Sequence, residues 1–341
     1  MKNLFILMLG VFMNANLITV NAQQKDLYMA RNFPASTISA VEASTSGGSI
    51  TVSGDAGSQA IVEVFASRDR WSAEQIKQAV EENYTIDIKV VSGKLTAEVK
   101  QKNKISNWNQ QGVSISLKIS VPRQVDSNLQ TSGGSIHISN LTGSQDFRTS
   151  GGSLTVENVS GNIVGRTSGG SITVSNSSDN IDLTTSGGSI TAKDCNGKIN
   201  LKTSGGSIKM TNLDGDIQAN TSGGSITADA VRGSLNAKTS GGSVNLKETS
   251  GNVEAKTSGG SMTVEMLAVN EFVKLSSTGS INLTMPANKG YNLKVKANKI
   301  ETSGMKDFRG NIESRNMDGT IGNGGTQVDL NTSGRVNLTF K

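Results

Sequence analysis

The residues able to do chemistry in this chain are few, and most of them recur at fixed intervals. Gly-Gly-Ser runs such as Gly133-Gly134-Ser135 repeat along its middle. A glycine-rich loop cradles phosphate when a helix N-terminus follows it. Here the alternation Ile136-His137-Ile138 predicts a strand, so phosphate chemistry is not expected. Calcium-binding nonapeptide turns need regularly spaced aspartates after the glycines, and Ser, Ile and Thr stand in those places. The chain has one histidine, His137, and one cysteine, Cys195, which excludes an internal disulfide framework and argues against a histidine triad or a multi-histidine zinc site. No cofactor and no metal site are expected. The carboxylates are scattered among the repeats rather than gathered with Arg and Lys on one face, so the chain reads as non-enzymatic. A polysaccharide-active β-helix enzyme is the alternative.

The elements that position these residues come from an 18-residue repeat. Thr-Ser-Gly-Gly-Ser begins at Thr131, Thr149, Thr167, Thr185, Thr203, Thr221, Thr239 and Thr257. Numbered from its Thr, position 6 runs Ile136, Leu154, Ile172, Ile190, Ile208, Ile226, Val244, Met262, and position 8 is apolar in every copy. That is a strand of period two. A second strand follows, with Gly common at position 13 and apolar residues at 15 and 17. Two strands this short cannot bury an apolar face alone, so the units must stack, with equivalent strands as parallel neighbours about 4.8 Å apart. The expected fold is all-β, a parallel β-solenoid of 18-residue coils. The Gly pair is expected to turn a corner at positive φ, and Asn140, Asn158, Asn176, Asp194 and Asn212 at position 10 mark the other corner. Cys195 falls at position 11 beside Leu141, Val159, Leu213 and Val231 and reads as a small core residue.

Stacking turns single positions into rows. Position 18 is basic at Arg148, Arg166, Lys202, Lys238, Lys256 and Lys274, a line suited to an anionic polymer, with Asp146, Asp182 and Glu254 as neutralising neighbours. Position 7 carries Thr155, Thr173, Thr191, Thr227 and Thr263 beside the position 5 serines, a hydroxyl-rich face that suits a sugar or ice. His137, Lys209 and Asn245 interrupt it, so ice is the weaker match. Both rows are candidate ligand-binding surfaces, and each also has an ordinary reading as a solvated strand face.

The flanks differ from the middle. Lys2, the apolar run Leu4 to Met13 and Val20-Asn21-Ala22 predict a signal peptide over residues 1–22, hence export to the periplasm, cell surface or medium. No transmembrane segment is expected after its removal. Residues 23–130 read as an irregular β-rich cap with Phe33, Phe65, Trp71, Tyr84 and Trp108 and one helix near 72–83, where Ser72 and Gln75 form a capping box and Ala73, Ile76, Ala79 and Val80 an apolar stripe. A further Thr-Ser-Gly-Gly-Ser at Thr45 marks an early coil split from Thr131 by inserted chain. Residues 131–275 are the regular repeats. Residues 276–341, with degenerate copies at Thr302 and Thr332, are the irregular last coils and C-terminal cap.

Composition agrees with a repeat protein. The 341 residues include 39 Gly, 3 Pro and 4% aromatics, too few large side chains for a big compact core. At 18% charged residues and a net charge of +5, nucleic acid is not an expected partner.

The tandem Thr-Ser-Gly-Gly-Ser-Ile units, preceded by Val113-Ser-Ile-Ser-Leu-Lys-Ile-Ser-Val-Pro122 and Asn128-Leu-Gln-Thr131, resemble the bacterial "putative adhesin" family of β-strand-repeat proteins, domain of unknown function 4097. The resemblance covers about residues 35 to 340. It implies a parallel β-solenoid on an exported protein, a role in adhesion, and no catalytic motif. The functional expectation is an exported, non-enzymatic solenoid that meets a surface glycan or an envelope protein, or else a structural envelope component without a specific ligand.

Overall fold

The computed structural model of the chain describes residues 26–102 and 112–341. The expected leader and Trp108 lie outside those residues. Among the described residues there are twenty-six strands, one α-helix and one 3-10 turn, so the class is all-β.

The repeats stack in register. Ile136 pairs in parallel with Leu154, Leu154 with Ile172, Ile172 with Ile190, and so on to Val244 with Met262. On the second strand Ile163 pairs with Ile181, then Ile199 and Ile217. The result is solenoid-like, each 18 residues forming one coil. Positions 6, 8, 11, 15 and 17 point inward through the coils from Thr131 to Lys256, and Ile, Val, Leu and Ala there are almost wholly buried. Each larger aliphatic side chain so buried contributes roughly 1.5–3 kcal/mol, which lets the column cohere with few aromatics. Where Phe147 enters the column, the next coil has Gly165, whose missing side chain makes room for the ring. The two strands of a coil are separate in the early repeats, as Ile136–Ser139 and Thr142–Thr149. From Ile190–Thr203 to Val244–Thr257 they merge into one bent strand of 14 residues, because the ladder hydrogen bonds continue through the corner.

The corners differ from expectation in one respect. Positive φ is taken at position 10, by Asn140, Asn158, Asn176, Asp194 and Asn212, and at position 13, by Gly143, Gly161, Gly197, Gly215, Gly233 and Gly251. The Gly pair at positions 3 and 4 does not adopt it. Its second glycine is required by close approach instead: a Cβ on Gly188 would lie 2.1 Å from the carbonyl oxygen of Gly170 in the neighbouring coil. Asparagine links do form between coils at position 10, with Asn158 Nδ2 donating to Asn140 Oδ1 at 2.6 Å and Asn212 Nδ2 to Asp194 Oδ1 at 2.7 Å.

The ends break sequential order. The coil of residues 40–53 lies between the Thr131 coil and a layer from later in the chain: Ala40–Thr45 pairs with both Asp126–Thr131 and Lys94–Gln101, and Ile50–Ser53 with both Ile136–Ser139 and Ser114–Ser120. Thr45 thus stacks on Thr131. The other end repeats the device. Thr326–Thr332 and Arg335–Phe340 lie between the coil of residues 272–285 and the strands Tyr291–Lys296 and Lys299–Ser303. Thr332 occupies position 1 of this coil, whereas Thr302 sits exposed on an outer strand and makes no such corner.

Antiparallel strands finish each end. The edge strand Asp26–Pro34 carries a register shift and ends in proline, and the edge strand Tyr84–Val91 carries the Asp87–Lys89 ion pair, features that discourage further strand addition. The helix Ala73–Asn83 packs against Gln59–Ser67 and Tyr84–Val91 through Ile76, Ala79 and Val80. Its capping box forms as predicted, Ser72 Oγ accepting from the Gln75 N–H and Gln75 Oε1 from the Ser72 N–H. Ala73, expected in the stripe, is the first residue of the helix and is exposed.

Candidate functional site: rows across the coils

The second strand of each coil carries the basic row. Arg148 stands in register with Arg166, then Thr184, Lys202, Asn220, Lys238 and Lys256. Lys274 does not belong to it. The coil from Met262 to Ser277 takes extra residues in its second half, so that Val253 pairs with Val273, Lys256 with Ser276, and Lys274 with Glu254. Lys274 instead lies over the Phe272 ring, 4.8 Å from its centroid.

Carboxylates two positions earlier neutralise part of the row. Arg148 bonds Asp146 at 3.1 Å within its own coil, Arg166 reaches Asp182 at 3.1 Å across the coil boundary, and Lys238 meets Glu254 at 3.2 Å. At the coils between Asp182 and Glu254, position 16 holds Asn200, Gln218 and Asn236, which carry no charge. Among the described residues Lys202 and Lys256 have no ion-pair partner. There the row borders a shallow groove of about 310 Å³, lined by Lys202, Asn220, Lys238 and Lys256 at position 18 and by Ser204, Ser222, Ser240 and Ser258 at position 2.

The threonine row keeps register on the first strand: His137, Thr155, Thr173, Thr191, Lys209, Thr227, Asn245, Thr263. Thr173, Thr227 and Thr263 are exposed, and Thr155 and Thr191 half-buried. The neighbouring position 5 hydroxyls are partly committed to the fold, since Ser135 Oγ accepts the Ser153 N–H at 3.1 Å and Ser207 Oγ the Ser225 N–H at 3.2 Å. Asn245 interrupts the row with a buried Oδ1 that has no partner among the described residues.

Cys195 is buried, and burial pushes its thiol pKa up. It bonds the Lys193 carbonyl, as Ser177 bonds Ser175 and Thr249 bonds Lys247 at the same coil position, which fits a core role.

The position 1 threonines form a further row, not among the expected ones. All eight, Thr131 to Thr257, are buried and bond across coils. The signal was present: inward positions 15 and 17, continued by two, land on the next Thr.

No protein-family model matches the chain, and no curated protein matches it. Solved structures similar to it include two bacterial proteins. One is a "putative cell adhesion protein" from Clostridium sporogenes ATCC 15579, 10% identical, with 92% of this chain and 98% of that one covered at a TM-score of 0.20. The other is a "putative adhesin" from Bacteroides fragilis NCTC 9343, 12% identical, with 93% and 98% covered at a TM-score of 0.24.

Proposed function

We propose that this chain is an exported, non-enzymatic parallel β-solenoid of the adhesin-like β-strand-repeat family, in which stacked coils display repetitive surfaces to a glycan or protein at the cell envelope or outside it. Residues 1–22 act as the leader, 23–130 and 276–341 close the ends, and 131–275 present the surface. One observation carries this reading. The constant 18-residue register converts single positions into in-register rows of mostly like side chains, and the basic row reaches solvent. A row about 4.8 Å per step suits a partner that is itself repetitive. Arg148, Arg166, Lys202, Lys238 and Lys256 are the binding residues of this reading.

The test is a glycan and matrix-protein array probed with residues 23–341 and with a variant in which those five residues are changed to Ser. Selective binding by the parent, lost in a folded variant, supports the reading. No selective binding by the parent overturns it in favour of an envelope component without a specific ligand.

A further inference from the structure

We infer that the groove beside Lys202, Lys238 and Lys256 is a subsite for a linear anionic polysaccharide lying along the stack, across at least four coils. The inference rests on the adhesive reading above and narrows it to one place and one ligand class.

Three features of the groove converge on it. First, its walls come from four successive coils, Lys202-Thr203-Ser204, Asn220-Thr221-Ser222, Lys238-Thr239-Ser240 and Lys256 with Ser258, so its length follows the stack rather than any one coil. A ligand that fills it is extended and runs from coil to coil. Second, the groove lies where the row is least neutralised. Arg148 and Arg166 are held by Asp146 and Asp182, while the coils of Lys202, Asn220 and Lys238 have amides at position 16. The Lys238–Glu254 pair has both side chains close to half exposed, so a ligand anion can displace it at little cost. Third, the wall carries a line of serine hydroxyls that make no side-chain hydrogen bonds among the described residues, and Asn220 adds an amide likewise without a partner among them.

The spacing selects the ligand. Lys202 and Lys238 are two coils apart, about 10 Å at strand spacing. That is comparable to two sugar rings in an extended chain, so a polymer with one carboxylate or sulfate per disaccharide places an anion at both Lys202 and Lys238, with Lys256 one coil beyond to reinforce the second. Its ring hydroxyls then fall on the serine wall. An acidic polypeptide supplies the charge but few hydroxyl partners for that wall. The absence of aromatic residues from the lining leaves no stacking platform for bases.

The experiment compares residues 23–341 with two folded triple variants of equal charge: K202S/K238S/K256S in the groove, and K193S/K209S/K247S on the first strand of the coils. Binding is measured by calorimetry against a polyuronate, a sulfated glycosaminoglycan, neutral dextran and poly-L-glutamate. The expected result is binding to one or both acidic polysaccharides, weakened by about tenfold or more in the groove variant and less than about twofold in the other, with affinity falling as salt rises. Equal losses in both variants, or poly-L-glutamate binding as tightly as the polysaccharides, overturn the inference. Loss in an R148S/R166S variant with the groove variant unaffected overturns it and leaves the adhesive reading standing. So does selective binding on the array without binding to either acidic polysaccharide.

Discussion

The hydroxyl of Thr203 donates a 2.8 Å hydrogen bond to the carbonyl oxygen of Gly188, in the preceding coil. The same hydroxyl oxygen accepts the N–H of Gly206 at 3.2 Å, so one buried side chain satisfies two backbone groups at the corner. Thr203→Val keeps the shape and removes both bonds. It is expected to cost about 1–3 kcal/mol in urea unfolding, the range for leaving buried polar groups unpaired. Thr203→Ser is expected to retain most of the stability, because Ser277 makes the equivalent bond to the Gly260 carbonyl at 2.7 Å. A larger loss for Ser than for Val would show that the methyl group, not the hydroxyl, matters.

The two glycines of one corner should respond differently to the same substitution. A Cβ on Gly188 would meet the Gly170 carbonyl oxygen at 2.1 Å, whereas on Gly187 the nearest atoms lie at 3.5 Å. Gly188→Ala is expected to cost about 1–3 kcal/mol or more by overpacking against backbone, and Gly187→Ala about 0.5 kcal/mol or less. Thermal midpoints of the two variants check this, and similar values would refute the steric account.

Position 10 offers a stabilising change. Ala230 holds φ at 55° where earlier coils have Asn or Asp. An alanine in the left-handed region costs about 1–2 kcal/mol that glycine does not. Ala230→Gly is therefore expected to raise stability by up to about 1 kcal/mol, despite the entropy glycine adds to the unfolded chain. A lower urea midpoint would contradict it.

One link is pH-sensitive. The Asn212 side-chain amide holds the Asp194 carboxyl below its usual pKa, assisted by the Lys193 charge. A pKa depressed in the folded state stabilises above the ordinary carboxylate pKa, and that stabilisation fades as pH falls through the folded value. Asn212→Gly removes the amide while still accepting φ of 53°. The gap in thermal midpoint between parent and variant is expected to narrow as pH drops below about 4. A gap constant with pH would rule the link out.

Much of the coil was legible because its information is local and repeated. Alternation at Ile136 and Ile138, recurring every 18 residues, identifies inward faces without reference to any distant contact. Ser72 and Gln75 likewise announce the helix from within one turn. The errors arise where a contact lies elsewhere. The glycine pair looks like a turn signal, but Gly188 is constrained by Gly170 across the coil boundary. Lys274 keeps its sequence interval of 18 from Lys256, yet inserted residues move Ser276 into its place. Nothing local to Arg335–Phe340 reveals that it pairs with strands on both sides.

That last arrangement changes how the rod bears load. In a stack built strictly in sequence order, the final strand is an edge, and a pull on the terminus peels one ladder at a time. Here Val336 pairs with Ile281 on one side and Ile300 on the other. Tension applied at the C-terminus must shear two parallel ladders together before any coil is released, and the coil of residues 40–53 is clasped in the same way at the opposite end.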